Sequence, residues 1–313
     1  MLANVLLIDA KNALWRSADA FKSLWIEEDG ERIPTGAIFG FLTIVTRAKE
    51  LCAKHDAVTI VCWEGGKLKR RAMYAGYKDR SKGGPTPLDR LQLLESIAVQ
   101  QKRLRHFLSM LGVPQAYAKG WEADDVMATL AERWKADARI AIFTGDRDLL
   151  QCVDTNVVVV RPDKGDFTTE TVETVKEKHG VTPSGFVYAK ALAGDSSDCI
   201  PGVAGIGPKH ASRIVATLEA KRPIVSVRAL AKRALRSVKL TDRMRDGLSK
   251  SAESGELALW HDLSTVRRDV EVQWKKAKPA TEKEVIDWLF KLRFRSWLQP
   301  SKLRSLVSLG QMQ

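Results

Sequence analysis

Residues 191–207 read Ala-Leu-Ala-Gly-Asp-Ser-Ser-Asp-Cys-Ile-Pro-Gly-Val-Ala-Gly-Ile-Gly, and Pro-Lys-His-Ala-Ser-Arg continues the stretch to residue 213. Its Gly-Ile-Gly turn predicts a helix–hairpin–helix element at about residues 199–217. Gly205 and Gly207 allow close approach of the backbone to a phosphate, which N–H groups at the start of the next helix can bind. An ordinary helix–turn–helix connection is the alternative. The surrounding Pro-Gly-Val-x-Gly-Ile-Gly-x-Lys context favours binding of a duplex backbone without reading of base sequence.

Positive charge is concentrated in two segments of the chain. The 313 residues carry 51 Lys+Arg and 38 Asp+Glu, a formal net charge of +13. Residues 67–82 hold seven basic residues and one acid, and residues 208–250 hold twelve basic residues and three acids. The summed net charge of these two segments exceeds the net charge of the whole chain, so the remainder of the chain is slightly acidic. A nucleic-acid partner is therefore expected at two places rather than over the whole surface.

Several classes of protein are not favoured by the composition. No apolar run approaches the roughly 20 residues of a membrane helix. The first apolar run, Val5–Ile8, is stopped by Asp9, which argues against a signal peptide. Four scattered cysteines and five scattered histidines favour neither a disulfide scaffold nor a zinc site. We expect a cytoplasmic protein without a membrane partner.

Short apolar runs alternate with helical patterns in the first half of the chain. This alternation predicts an α/β fold with a parallel sheet covered on both faces. After about residue 170 the pattern becomes helical, so we expect one domain at 1–180 and a helical region at 181–313. The predicted strands are Val5–Ile8, Ala57–Cys62, Val113–Tyr117, Arg139–Phe143 and Val157–Val160.

Nine carboxylates follow these strands or lie in the loop at 194–198. Each alone could be a helix cap or a turn residue. Because ligands bind at the carboxyl ends of parallel strands, we expect these acids to converge there. Converging negative charge requires cations, and hard oxygen ligands suit Mg²⁺ or Mn²⁺. Two such ions form the usual apparatus for phosphodiester hydrolysis. The acids are Asp9, Glu64, Glu122, Asp124, Asp125, Asp146, Asp148, Asp195 and Asp198.

Residues 64–87 contain paired glycines and prolines and are interpreted as a mobile excursion. Their basic residues are interleaved with Tyr74 and Tyr77, a combination that favours single-stranded nucleic acid. A solvated surface loop is the simpler interpretation of this segment by itself.

The order of these features resembles that of the bacterial and bacteriophage 5′ nucleases, the flap endonuclease/5′–3′ exonuclease family. That family includes the 5′-nuclease domain of bacterial DNA polymerase I. The resemblance extends from Leu6 to about Leu298, and its most specific match is Ala191–Gly207. It implies a PIN-like (resolvase-like) core, a helical arch at about 64–95 and a C-terminal helical region with a helix–hairpin–helix. No polymerase-like sequence follows, so a stand-alone nuclease of the kind that phages carry is expected, in the host cytoplasm for a phage protein.

The resemblance also implies cofactors and residue roles. All nine acids would bind two, or three, Mg²⁺ or Mn²⁺ ions or hold their waters, and K⁺ would bind at the hairpin. Lys78, Arg80, Asp124 and Asp146 would be catalytic. The partner would be DNA with a 5′ single-stranded flap or end, RNA-primed ends included, bound by a monomer. The implied DNA-binding residues are Arg70, Arg71, Tyr77, Lys78, Arg80, Gly205, Gly207, Lys209 and Arg213.

Two positions depart from the family pattern. Members usually have Asp at the end of the second strand, and the expected slot falls nearer Trp63 than Glu64. Cys199 stands where Asn is common and is expected to affect loop packing. Two alternatives remain: a non-catalytic structure-specific DNA-binding protein, and a PIN-type ribonuclease. Retention of the acids opposes the first, and the Gly-Ile-Gly hairpin opposes the second.

Overall fold

A sheet of seven paired strands lies at the centre of the computed structural model, which describes residues 2–66, 69–79, 88–163 and 165–310. A separate hairpin is formed by β2 (Trp25–Glu28) and β3 (Glu31–Pro34). The sheet strands are β1 (Ala3–Asp9), β4 (Ala53–Trp63), β5 (Gln115–Tyr117), β6 (Ile140–Phe143), β7 (Val157–Asp163), β8 (Asp166–Glu170) and β9 (Gln273–Lys275).

The strand order is β8-β7-β6-β1-β4-β5-β9. The five central strands run parallel, as the sequence predicts, whereas both edge strands are antiparallel to their neighbours. The sheet is therefore mixed, which corrects the expectation of a wholly parallel one. The edge strands escaped prediction because β8 is mostly polar and β9 has only three residues.

Helices cover both faces of the sheet and form a separate helical unit. In the described part of the chain, 3₁₀ turns at Asp148–Cys152 and Arg295–Leu298 accompany them. The helices are α1 (Ala10–Ala20), α2 (Gly36–Cys52), α3 (Arg70–Met73), α4 (Leu88–Met110), α5 (Ala123–Trp134), α6 (Val172–His179), α7 (Pro183–Ala193), α8 (Pro208–Glu219), α9 (Val227–Ser237), α10 (Asp242–Glu253), α11 (Glu256–Ser264), α12 (Glu282–Lys291) and α13 (Pro300–Val307).

Alternation along β1 divides its side chains between two cores, because successive strand residues point to opposite faces. Leu6 and Ile8 pack in one core with α1, α2 and α4. Leu7 packs in the other core with α5. All three side chains are completely buried. This burial on both faces explains why the strand is a continuous apolar run.

The C-terminal segment does not stay with the helical region. The third core joins α7 to α11, whereas α12 and α13 pack into the first core and β9 pairs with β5. Residues 273–309 therefore pack with the sheet, although they follow the helical region in the chain. In the described part of the chain, no helix combines the length and apolarity needed to cross a bilayer.

Candidate metal centre

Asp9 occupies the carboxyl end of β1, between the ends of β6 and β4. One of its carboxylate oxygens accepts the Asn12 N–H at 3.0 Å and caps α1. The other accepts the Thr144 hydroxyl at 2.7 Å. The Thr144 hydroxyl also accepts the Asp146 N–H at 3.0 Å. Thr144 thus holds the ends of two neighbouring strands in a fixed relation, at the point where the strand order reverses.

Like charges surround the carboxylates at this edge. Burial, followed by the charges of Asp146 and Glu64, raises the pKa of Asp9 to about 6. Burial, followed by the charges of Asp146 and Asp9, raises the pKa of Asp124 well above its usual value. Acids that disfavour one another's ionisation have the electrostatic character of a cation site. Their oxygens suit a hard divalent cation.

A second carboxylate group adjoins the first. Asp148, Asp195 and Asp198 each offer an oxygen, and these atoms all lie within 4.8 Å of one another. The charges of Asp146 and Asp198 both act to raise the pKa of Asp148. The acids therefore form one connected cluster with two centres, which also suits divalent cations.

A lysine ammonium lies inside this second group. Lys190 Nζ contacts Asp148 and lies 2.7 Å from Asp195 and 3.9 Å from Asp198. Burial opposes its charge, but Asp148 and Asp195 raise the pKa of Lys190 above its usual value. Burial acts against the ionised form of Asp195 too, but Lys190 lowers the pKa of Asp195 to about 2. For Asp148, burial dominates and raises the pKa to about 7.

The described segment 69–79 is docked on the acids. The Lys78 N–H donates to the Asp198 carbonyl at 2.9 Å. Its ammonium contacts Glu122 and lies 3.6 Å from an Asp198 carboxylate oxygen. The Tyr77 hydroxyl donates to Glu122 at 2.7 Å. This part of the predicted mobile excursion is therefore an ordered wall of the site.

Tyr77 is only 2% exposed and belongs to the helical core. Its ring is packed in that core and leaves no free face for a base. Arg71 is exposed and donates to the Lys78 carbonyl at 3.3 Å. Arg80 lies outside the described residues.

Arg70 and Asp125 pair with each other inside the protein. Arg70 is 4% exposed and Asp125 is completely buried. The Asp125 carboxylate receives two N–H groups of Arg70 and the backbone N–H groups of Glu122 and Arg267. These donors occupy both oxygens, so Asp125 is the structural partner of Arg70 in the metal-free protein. The metal contact of Asp125 and the DNA contact of Arg70 stay predictions.

Glu64 lies directly after β4, and its charge contributes to the raised pKa of Asp9. Its carboxylate is 3.1 Å from Lys11 Nζ. Trp63 points away into the core, where its indole N–H donates to Gln115 at 3.1 Å. Glu64 is therefore the acid at the end of this strand, although it is one residue away from the family's usual slot.

The hairpin and the acidic loop form one continuous turn between α7 and α8. Asp195 and Ile200 pair through two backbone hydrogen bonds of 2.8 Å, and the Val203 N–H donates to the Leu192 carbonyl at 2.8 Å. Gly202 and Gly205 adopt φ of +73° and +82°, which disfavour a side chain. The hairpin is therefore attached rigidly to two of the acids.

The start of α8 faces solvent. Gly207 is its N-cap and supplies no side-chain capping bond. Lys209 and Arg213 are exposed on this helix. The first N–H groups of a helix lack intrahelical partners. This end of α8 therefore offers donors and positive charge together.

Lys190 and Thr144 contact the acids although neither was predicted as a site residue. Lys190 lies in the last turn of α7, five residues before Asp195. Thr144 directly follows β6. Both residues lie near predicted acids in the sequence, and this nearness was the one indication of their role. Their contacts with Asp148 and Asp9 are made with other elements of the fold.

Comparisons with known proteins agree with this geometry. Residues 4–180 match the family model described as 5′-3′ exonuclease, N-terminal resolvase-like domain, and residues 181–285 match 5′-3′ exonuclease, C-terminal SAM fold. A 5′-3′ exonuclease of Aquifex aeolicus is 34% identical over 212 residues, which cover 67% of this chain and 68% of the relative. DNA polymerase I of Caldicellulosiruptor bescii is 31% identical over 97% of this chain. The chain spans about a third of that polymerase, 34% of its length.

Solved structures share the fold. The bacteriophage T5 5′-exonuclease with bound divalent metal ions (zinc) has a TM-score of 0.67 at 19% identity, with 97% of both chains covered. A complex of the T5 flap endonuclease with DNA and metal ions has a TM-score of 0.68 at 18% identity, with 97% of this chain and 96% of that chain covered.

A resolvase-like sheet with an acid cluster at its carboxyl edge, joined to a helical hairpin region, defines the structural class of this protein. The chain belongs to the 5′–3′ exonuclease family.

Proposed function

We propose that the chain is a divalent-metal-dependent 5′ nuclease that hydrolyses DNA phosphodiester bonds near junctions of single strand and duplex. The observation that carries this proposal is the continuity of the hairpin with Asp195 and Asp198. A duplex held at the hairpin lies at a fixed distance from the acids. A strand that leaves this duplex would then be cut at the acids around Asp9.

The metals would be Mg²⁺ or Mn²⁺. Divalent cations supply a lowered pKa for the attacking water and stabilise the charge of the leaving oxygen. The two groups overlap through Asp146, whose charge acts on both Asp9 and Asp148. One group that would hold metal is Asp9, Glu64, Glu122, Asp124 and Asp146, and the other is Asp148, Asp195 and Asp198.

Duplex binding is assigned to the exposed start of α8. Lys209, Arg213 and the first N–H groups of the helix would bind phosphates, and K⁺ would bind at the Gly205–Gly207 turn. The 5′ strand would pass under the arch, at about residues 64–95. Lys78 is already at the cluster and would bind the scissile phosphate together with Arg80.

Water attacks the phosphorus atom, the bond to the 3′ oxygen breaks, and a proton neutralises that oxygen. The products are a 5′-phosphate and a 3′-hydroxyl end. The polymerase I relatives support a role in replication or repair, where removal of primers or flaps requires this reaction. We propose that the protein acts as a monomer in the cytoplasm, and that an RNA-primed 5′ end is also a substrate.

Cleavage of a 5′-flap substrate tests the proposal. Wild-type protein with Mg²⁺ should cut near the junction, and Asp146→Asn should abolish cutting while DNA binding survives. Asp137→Asn changes an exposed acid in the turn after α5, is the matched control and should cut normally. Equal cleavage by wild type and Asp146→Asn overturns the assignment. Flap binding without cleavage in any divalent cation would indicate a non-catalytic binder, and cleavage of RNA alone would indicate a ribonuclease.

A further inference from the structure

The Lys190 ammonium occupies the space that a cation would take in the second acid group. Its side chain is 9% exposed, and it contacts Asp148 and Asp195 while lying 3.9 Å from Asp198. These are the three acids whose oxygens approach within 4.8 Å of one another. A single ammonium is thus the shared partner of the whole group.

A second ammonium lies near the other carboxylate oxygen of Asp198. Lys78 Nζ is 3.6 Å from Oδ1 of Asp198, whereas Lys190 Nζ is 3.9 Å from Oδ2. Lys78 is shared with Glu122, however, and among the described residues Lys190 is the cation that reaches both Asp148 and Asp195. The charge balance of these two acids therefore depends mainly on Lys190.

A divalent cation and this ammonium cannot hold the same oxygens. Mg²⁺ binds oxygen at about 2.0–2.1 Å and requires the lone pairs that now accept Lys190. The two positive charges also repel one another at such a distance. A lysine has a flexible four-carbon stem, so its ammonium can move away while its helix stays in place.

We propose that Lys190 is an exchangeable counter-ion, which holds Asp148, Asp195 and Asp198 together without metal and is displaced when a divalent cation binds there. The inference rests on the proposed metal dependence. It assigns Lys190 a positioning role: the ammonium keeps the three acids in place for the metal and competes with it. The positive charge therefore lowers metal affinity at this group.

Calorimetric titration of the DNA-free protein with Mn²⁺ tests the competition. Lys190→Gln removes the charge, so at least one binding step should tighten at least tenfold. Adding Asp195→Asn should abolish that gain, which locates it. Lys190→Arg keeps the charge and should not tighten binding. Lys178→Gln removes a lysine that pairs with Glu170 outside the cluster and should leave the titration unchanged.

Unchanged or weaker Mn²⁺ binding by Lys190→Gln overturns the inference, as does absence of Mn²⁺ binding by both proteins. If Lys190→Gln fails to fold, NMR of wild-type protein labelled with ¹⁵N-lysine supplies the answer. The Lys190 ammonium signal, identified by its loss in Lys190→Arg, should shift or exchange with water on addition of Mg²⁺. A signal unaffected by saturating Mg²⁺ overturns the inference.

Neither measurement involves DNA or catalysis. Absence of flap cleavage would therefore overturn the proposed nuclease activity and leave the counter-ion role standing. Failure of the metal titration would overturn the counter-ion role even in a protein that cuts flaps.

Discussion

Arg70 and Asp125 form a buried ion pair in which two guanidinium–carboxylate N···O distances are 2.7 Å. Arg70 also donates to Glu122 at 3.1 Å and to the Thr265 carbonyl at 2.8 Å. One side chain therefore joins α3, the start of α5 and the segment after α11. The wall formed by residues 69–79 is held on the acid cluster from this point.

Replacement of Arg70 should destabilise the fold strongly. Arg70→Ala leaves Asp125 buried without its charged partner, a change that costs about 3–5 kcal/mol in comparable sites. Urea unfolding should show this loss of unfolding free energy. Arg71→Ala removes an exposed neighbour and should stay within about 0.5 kcal/mol of wild type. Similar small losses in both variants would show that the pair contributes little.

The Thr144 hydroxyl should matter for activity. Thr144→Val removes the donor to Asp9 and the acceptor for the Asp146 N–H, so the two acids lose their fixed relation. Loss of a hydrogen bond to an ionised group costs about 1.5 kcal/mol or more, so flap cleavage should fall about tenfold or further. In the metal-free protein the pKa of Asp9 should also rise, because Thr144 no longer donates to it. Thr144→Ser keeps the hydroxyl and should retain both the rate and this pKa.

Cys199 is a site where stability can be gained. It has a φ of +56°, a left-handed conformation in which Asn is enriched. Cys199→Asn should raise the free energy of unfolding by about 0.5–1 kcal/mol and increase Tm by about 1 °C. Cys199→Val places a β-branched residue in the same conformation and should lower Tm. Thermal melts that rank Val above Asn would contradict this explanation.

Lys209 should contribute to DNA binding through charge. If it neutralises one phosphate, Lys209→Ala should weaken binding and reduce the slope of log affinity against log salt concentration by about 1. Fluorescence anisotropy across a salt series measures this slope. Lys283→Ala, an exposed lysine on α12, removes the same charge elsewhere and should leave the slope unchanged. A slope change of the same size in both variants would show that Lys209 makes no specific phosphate contact.

Stability of the metal-free protein should depend on the ionisation of Asp148. Its pKa is raised from 3.8 to about 7, so the folded state binds a proton more tightly than the unfolded state. This group therefore makes unfolding free energy fall as pH rises between about 4 and 7. Asp148→Asn should remove that contribution. The test is Tm measured in EDTA at pH 5.5 and at pH 7.5. On going from pH 5.5 to pH 7.5, Asp148→Asn should lose less Tm than wild type, or should gain Tm.

The histidines do not disturb this comparison. Burial lowers the pKa of His179 and His261, so their contribution to stability decreases as pH falls through the unfolded value of 6.5. Both residues are present in wild type and in Asp148→Asn, so their effect cancels in the difference. An identical pH dependence of Tm in the two proteins would contradict the raised pKa of Asp148.

Local patterns were sufficient for most of the architecture. The five central strands and the hairpin at 199–217 follow from apolar periodicity and turn residues, whereas α1 was not predicted. The convergence of the acids also follows, because parallel strands bring their carboxyl ends to one edge. Family resemblance then supplied the roles that periodicity cannot assign.

Partner choice among charged residues could not be predicted in the same way. Arg70 and Tyr77 are residue types that commonly contact DNA, and Asp125 is one that commonly binds metal. All three side chains are nevertheless buried. A buried charge is stable only with a partner, and that partner comes from a distant part of the chain. Exposure, which decides between DNA binding and structural support, is a property of the packed molecule.

The sequence by itself determined the class of fold, the edge of the sheet at which the acids lie and the two basic segments, because each depends on short-range pattern or on strand direction. Tertiary structure alone decided that residues 273–309 return to the sheet, that Arg70 supports Asp125, and that Lys190 sits among three acids. These relations arise where elements far apart in the chain pack together, and there burial and charge neutralisation select the contacts.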